Sequence, residues 1–171
     1  MRRLTLMRHA NAQWKDPQIA DFERPLNRRG TSEAETMARR LSELGLIPEL
    51  LIASSALRTQ QTADIVAREL GIAARQVRRE EGLYLAAPDD ILKVIHATGP
   101  RVHHLMLIGH NPGISEAGRL FAPELGKHEL ATAAIYSLTF DARSWVETGP
   151  ETLLGCESEA PPSGLFASLW A

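Results

Sequence analysis

Three segments of the chain place an arginine or a histidine where an apolar run ends. In LTLMRHANA (residues 4–12) the apolar run leads directly into Arg8 and His9, and His110 follows the apolar run at 103–109. Arg58 lies four residues beyond a shorter run at 49–54. Such groups are costly to bury without partners. They indicate either a shared functional rim or a structural arrangement, in which a buried arginine is paired with a carboxylate beside a surface histidine.

These residue types suit phosphoryl transfer. In open α/β sheets ligands bind at the carboxyl ends of the strands, so three strand ends would bring these side chains to one rim. Arginines bind phosphoryl oxygens bidentately, and helix N-termini behind Ser54 and Asn111 would add oriented N–H donors. A neutral imidazole can attack phosphorus, so we predict that His9 is the nucleophile and that His110, protonated in the complex, holds a phosphoryl oxygen. Arginine and imidazolium would supply the charge, so we expect no metal and no cofactor.

Strand-like and helix-like patterns alternate along the chain. Apolar residues at helical spacing predict a helix over 31–45, with a capping box at Ser32 and Glu35 and a stop at Gly45. Asn111 is predicted to cap a later helix. The alternation predicts an α/β three-layer sandwich with a mostly parallel central sheet and helices on both faces. The predicted strands are 3–7, 49–54, 103–109 and 133–140, the last pairing with 145–147, and the other helices are 56–70 ending at Gly71, 89–97 and 111–121.

Length and composition predict one domain and few classes of partner. The 171 residues carry a formal charge of −2, which argues against bulk binding of nucleic acid or a membrane surface. The single Cys156 allows no internal disulfide and fits a reducing compartment, and the apolar run near the start is too short for a signal peptide, so we expect a cytoplasmic protein. The predicted domain covers residues 1–148. Residues 149–164 are rich in Gly, Pro, Ser and Glu, so residues 149–171 are predicted to be an irregular tail. Its closing LFASLW is predicted to dock on the domain, with contact to a partner as the alternative.

Four ordered motifs resemble the histidine phosphatase superfamily, whose members have the phosphoglycerate mutase-like fold. They are LTLMRHA, DFERPLNRRG, SSALRTQQTA and LIGHNPG, and the resemblance covers residues 3 to 145. It is strongest to the SixA-like phosphohistidine phosphatase branch. The resemblance implies that His9 forms a phosphohistidine intermediate and that Arg8, His9, Arg58 and His110 form the phosphate pocket. Ala10 stands where the wider family often has glycine, which implies that no left-handed backbone is needed there, and Ser55 stands where proline is frequent.

The segment between the first strand and the first helix allows two interpretations. Asp21, Arg24 and Arg29 lie in DFERPLNRRG, and the resemblance suggests that this segment shapes the pocket rim, although a structural loop is equally compatible. Trp14 is close enough to His9 in sequence to border the pocket, or it packs as an ordinary aromatic side chain.

The general acid has the weakest sequence signal. Cleavage of an alkyl ester needs a proton donor for the leaving oxygen, and larger relatives carry a glutamate after the third strand. In VRREEGLYLAAPDD the nearest match is Glu81, with Glu80 one position away, and a solvated charge cluster is the alternative. Phosphohistidine leaves as imidazole and tolerates a poorly placed acid. The chain is short, which implies an open pocket that a protein could reach. The resemblance and this open pocket therefore favour a phosphohistidine protein, such as a histidine phosphotransfer domain, as substrate. The alternatives are a small phosphorylated metabolite or a noncatalytic phosphoprotein-binding module.

Overall fold

A six-stranded sheet forms the centre of the computed structural model, which describes residues 1–14 and 16–162. The strand order is β3-β2-β4-β1-β5-β6, in which β1 to β4 are parallel, β5 is antiparallel to β1, and β6 is antiparallel to β5. The predicted mostly parallel sheet is therefore confirmed. The strands are β1 (Arg2–Arg8), β2 (Leu50–Ser54), β3 (Val77–Glu80), β4 (His104–Gly109), β5 (Ile135–Phe140) and β6 (Leu153–Glu159).

Helices cover both faces of the sheet, because its central strands are apolar on both sides. Alternate residues of β4 point to opposite faces: Leu105 and Leu107 belong to one core cluster, and Met106 and Ile108 to the other. The first cluster lies under α3 (Pro88–His96) and α4 (Gly113–Phe121), and the second under α1 (Arg28–Glu43) and α2 (Leu57–Leu70). In the described part of the chain, no helix is long and apolar enough to cross a membrane.

Two predicted helix starts are wrong, whereas both predicted helix ends are confirmed. The α1 helix begins at Arg28, where the Asn27 side chain accepts a hydrogen bond from the Gly30 N–H, so the proposed capping box at Ser32 lies inside the helix. Asn111 does not cap α4, since its side chain donates to the Leu130 carbonyl and accepts from Ser115 instead. Gly45 and Gly71 end their helices with φ of +67° each, a left-handed conformation that glycine adopts without strain.

The chain after residue 144 differs from its predicted form. Residues Trp145–Glu147 form a short 3-10 turn rather than a strand, and residues 153–159 form β6 on the edge of β5 instead of an irregular tail. The sequence of β6, LLGCESE, lacks the β-branched residues typical of strands. Its pairing with β5 instead satisfies main-chain groups that β5 would otherwise leave unpaired. The segment LFASLW lies outside the described residues, and the domain boundary at 148 stays a prediction.

The close approach of Gly30 to the chain segment after β1 predicts a sharp steric effect. A Cβ atom at Gly30 would lie 1.9 Å from the carbonyl oxygen of Asn11, which accepts a hydrogen bond from the main chain of Asn27. We expect Gly30→Ala to lower the free energy of unfolding by about 1–3 kcal/mol, measured by urea denaturation. The matched control is Gly99→Ala, whose new Cβ would meet no atom within 4 Å and should change stability by less than about 0.5 kcal/mol. Equal effects of the two substitutions would contradict this packing.

Candidate active site

A cavity of about 420 Å³ opens where the carboxyl ends of β1, β2 and β4 meet. The structure brings Arg8, His9, Arg58 and His110 together here, whereas Glu81 does not line the cavity. The lining residues are Arg8, His9, Asn11, Ala12, Asp21, Arg24, Arg58, Leu85, His110, Asn111 and Thr132.

The main chain on both sides holds His9 in place just beyond β1. Its N–H donates to the Gly109 carbonyl (3.1 Å), and its own carbonyl accepts from Ala133 (3.2 Å). Within the ring, Nδ1 lies 2.8 Å from the Ala10 carbonyl oxygen. Because a carbonyl only accepts, Nδ1 carries the proton and Nε2 is left with a lone pair. The Nε–H of Arg58 points at this Nε2 over 3.3 Å.

Arg58 joins the two imidazoles through one edge of its guanidinium. Its Nη2 lies 3.3 Å from Nδ1 of His110, so this nitrogen accepts, and the protonated Nε2 of His110 donates to Ser54 Oγ over 2.7 Å. The ring centroids of His9 and His110 are 5.2 Å apart. Arg58 is 2% exposed. One buried cation therefore faces both histidines at the position where phosphoryl oxygens would bind.

Burial keeps both imidazoles neutral. It lowers the pKa of His9 to about 4, with the charges of Arg58, Arg8 and Arg24 adding to the effect and the hydrogen bond to Ala10 opposing it. Burial, followed by the neighbouring His9 and Arg58, lowers the pKa of His110 to about 3. Near pH 7, His9 thus has an unprotonated nitrogen, as a nucleophile requires. Protonation of His110 in a complex stays a prediction.

Asp21 is the carboxylate that holds Arg58 and Arg24. Its Oδ2 accepts from Arg58 Nη2 (3.1 Å) and from the Tyr84 hydroxyl (2.9 Å), its Oδ1 accepts from Arg24 Nε (3.0 Å), and its main-chain oxygen accepts from Arg58 Nη1 (2.6 Å). Desolvation opposes ionisation, but the Tyr84 hydrogen bond and the charge of Arg58 lower the pKa of Asp21 to about 2. Asp21 therefore stays ionised near neutral pH.

The segment DFERPLNRRG shapes the rim of the cavity through two of its three predicted residues. Asp21 and Arg24 line the cavity, whereas Arg29 pairs with Glu33 and its side chain is 60% exposed. Sequence reasoning missed Tyr84, which has no local signal in GLYL and reaches Asp21 across 63 positions of sequence.

Arg8 forms the wall of the cavity next to His9. Its Nη1 donates to the Leu130 carbonyl over 2.9 Å, and burial lowers its pKa. Within residues 1–14 and 16–162, its Nε is buried without a hydrogen-bond partner.

The structure does not support Glu81 as the general acid. Glu81 is exposed in the 3-10 turn that follows β3, and Glu80 accepts from the Gly82 N–H instead of reaching the cavity. Since β3 is the edge strand beyond β2, its following turn directs these carboxylates to solvent, as in the charge-cluster alternative. Trp14 does not pack into the core, because it is 92% exposed. Ala10 is fully buried and does not have a left-handed backbone.

Comparisons with known proteins point to one family. Residues 4–84 match the model of the histidine phosphatase superfamily (branch 1). An uncharacterised chloroplastic protein of Arabidopsis thaliana is 31% identical over 154 residues, which are 85% of this chain and 70% of that protein. An uncharacterised Picosynechococcus protein is 31% identical over 79% of this chain and 83% of its own length. The structure of the putative phosphohistidine phosphatase SixA from Agrobacterium tumefaciens superimposes with a TM-score of 0.77 at 27% identity, covering 93% of this chain and 99% of the other.

The buried neutral histidines predict that acid destabilises the fold. Burial also lowers the pKa of His104, which contacts Thr5, to about 4. The unfolded chain, with histidine pKa near 6.5, binds protons before the folded chain does. The free energy of unfolding should therefore be maximal above pH 6.5 and fall as pH decreases towards 4, as urea denaturation at several pH values would measure.

Two substitutions make this pH dependence specific. His104→Gln should reduce the slope between pH 6.5 and 4, whereas His128→Gln, at an exposed position, should leave it unchanged. A slope that is insensitive to His104→Gln would contradict a neutral buried imidazole at that position.

Proposed function

The chain belongs to the histidine phosphatase superfamily, and from this we propose that it hydrolyses phosphohistidine carried by a protein through a phosphohistidine intermediate on its own His9. One observation carries the proposal. The unprotonated Nε2 of His9 lies 3.3 Å from the Nε of Arg58, and His9 lines the same cavity as Arg8, Arg58 and His110. The proton that the Ala10 carbonyl holds on Nδ1 leaves Nε2 with the lone pair that attack on phosphorus requires, and a bound phosphoryl group would replace His9 as the partner of the Arg58 N–H.

In the first proposed step, His9 Nε2 attacks the phosphorus atom. A P–N bond to His9 forms while the P–N bond to the substrate imidazole breaks, and that imidazole, already protonated on its other nitrogen, leaves as a neutral molecule with the electron pair of the broken bond. Arg8 and Arg58 line the cavity in which the phosphoryl oxygens would bind, where charge must be stabilised during transfer. His110 would join them once its Nδ1, which accepts from Arg58 in the free protein, takes up a proton in the complex. The proton that His9 holds on Nδ1 remains there.

In the second step, water attacks the phosphoenzyme. The new P–O bond forms as the P–N bond to His9 breaks, which releases inorganic phosphate and returns Nε2 to its unprotonated form. The same arginines serve both steps, because the first step transfers the phosphoryl group to His9 and the second transfers it from His9 to water in the same site. These roles of Arg8, His9, Arg58 and His110 also agree with what the family resemblance implies.

The choice of phosphohistidine rests on the leaving group. In the described part of the chain, Asp21 is the one acidic residue that lines the cavity, and the Tyr84 and Arg58 contacts keep it ionised. An ionised carboxylate has no proton to give to an alkoxide. An imidazole needs less help to depart. The similarity to the SixA structure from Agrobacterium tumefaciens supports the same substrate class, and a cytoplasmic location stays a prediction.

A metal-free assay with a nucleophile variant tests the chemistry. We expect the wild-type protein to hydrolyse p-nitrophenyl phosphate at an undiminished rate in excess EDTA, and His9→Asn to lower kcat/KM by at least about 10³-fold. Rapid quenching without acid should trap a phosphoryl group on the protein. This group should be stable in alkali and labile in acid, as expected for phosphohistidine. His128→Asn, at an exposed position, is the control and should retain both properties.

Each failure of this experiment has a distinct meaning. Loss of rate in EDTA would contradict the metal-free route, and an active His9→Asn variant would show another nucleophile. A wild-type protein that binds phosphoproteins without turnover would favour a binding module.

Variation of the leaving group tests the missing acid. We expect kcat/KM to fall by about 10²-fold or more from a phosphohistidine protein to an alkyl phosphate, because a general acid contributes about 10²–10⁴-fold when it is present. Glu81→Gln should leave both rates unchanged, since this carboxylate lies outside the cavity. A selective loss on alkyl phosphates in Glu81→Gln would instead show that Glu81 reaches the leaving group. Comparable rates on a sugar phosphate would favour a metabolite substrate.

A further inference from the structure

Three exposed apolar side chains lie on the segments that line the cavity, and we call them the apolar rim: Trp14, Phe22 and Leu85. Their exposed fractions are 92%, 41% and 59%. Leu85 lines the cavity itself, Phe22 directly follows Asp21, and Trp14 comes two residues after the cavity residue Ala12. Exposed apolar groups that lie together beside a functional cavity indicate an interaction site more strongly than scattered ones do.

Contacts connect the apolar rim to the catalytic groups. Phe22 packs edge-on against Tyr84 with centroids 5.0 Å apart, and Tyr84 packs in the same way against His110 at 5.6 Å. The segment that carries Trp14 is fastened to the cavity wall, because the Gln13 carbonyl accepts from Arg24 over 2.8 Å. The three side chains of the apolar rim are thus on segments that also hold cavity residues.

Leu85 has an unfavourable backbone conformation, and burial of its side chain does not compensate for the cost. Its φ of +48° lies in the left-handed region, which disfavours a bulky side chain, yet its side chain remains largely exposed. Strained residues of this kind are concentrated at functional sites. Here the strain holds an apolar side chain at the cavity mouth.

Part of the hydrogen-bonding capacity of the cavity's polar side chains is used inside the protein. Asn111 donates to the Leu130 carbonyl and accepts from Ser115, and the carbonyl oxygen of the Asn11 side chain accepts from Asn27. The Asn111 amide is therefore committed to internal hydrogen bonds, and so is the Asn11 amide oxygen. The main feature that the cavity offers a ligand is its positive charge, which suits a phosphoryl dianion, with exposed apolar side chains beside it.

We propose that the apolar rim docks an apolar patch of a folded protein around its phosphohistidine, an inference that rests on the proposed function. The rim is continuous with the cavity through Leu85, so a single partner can occupy both. Tryptophan is among the residues that contribute most to protein interfaces. Free phosphohistidine is small enough to fill the cavity without covering Trp14, whereas a protein surface would bury it.

A comparison of two substrates tests the rim separately from the chemistry. The substrates are a histidine phosphotransfer domain phosphorylated with phosphoramidate, and free phosphohistidine. We expect Trp14→Ser to lower kcat/KM for the protein substrate by about tenfold or more, mainly through KM, and to leave kcat/KM for free phosphohistidine unchanged. Trp14→Phe, which keeps an apolar ring at this position, is the second variant and should retain most of kcat/KM for the protein substrate. Leu154→Ser removes an exposed apolar side chain from β6 and should affect neither substrate.

The outcomes separate the two proposals. If the wild-type protein hydrolyses neither substrate, the proposed function fails, whatever the rim does. If it hydrolyses both, equal losses on the two substrates, or no loss on either, would overturn the docking role alone. Sedimentation of wild type and Trp14→Ser adds a further test, because self-association that disappears in the variant would assign the rim to a second copy of this chain and overturn the proposal.

Discussion

The buried guanidinium of Arg58 determines how the site is arranged. A charge at 2% exposure is costly unless its hydrogen bonds and its charge are satisfied. Arg58 meets this constraint with Nε on His9, Nη2 on His110 and the Asp21 carboxylate, and Nη1 on the Asp21 main chain. The connection between β1 and α1, which supplies Asp21, and the turn after β3, which supplies Tyr84, must therefore lie over the start of α2. One ion pair orders two otherwise irregular segments around the catalytic histidines.

The charge of Arg58 also affects the protonation of the groups around it. Its charge helps to lower the pKa of His9 and His110 and lowers that of Asp21, so near pH 7 the two bases are neutral and the acid is ionised. Arg8, Arg24, Arg58 and Asp21 line the cavity, which then has a net charge of +2. That charge matches a phosphoryl dianion while both imidazoles are neutral. His9 can thus remain a nucleophile in the field that attracts its substrate.

The sequence predicts the centre of the site better than its edges, for a physical reason. Arg8, His9 and His110 directly follow buried parallel strands, and parallel strands bring their carboxyl ends to one sheet edge. The Asp21–Tyr84 hydrogen bond spans 63 positions, and no local pattern encodes it. The direction of Glu81 depends on the turn after an edge strand, so a match in spacing could not place its carboxylate. Strand β6 was missed because its pairing with β5, rather than its own propensity, makes it a strand.

Three physical properties of this molecule, each carried by different residues, would select its substrate. The net positive cavity selects a phosphoryl group but does not distinguish its carrier. The ionised Asp21, held by Tyr84 and Arg58, removes proton donation from the nearest carboxyl and so favours substrates whose leaving group departs without it. The apolar rim lies away from the reacting atoms, so its direct contacts would be with the carrier. Phe22 contacts Tyr84, and Tyr84 contacts His110. A partner bound on the rim would therefore also influence the position of the His110 ring. Recognition of the carrier and alignment of the phosphoryl group would then occur in one binding event.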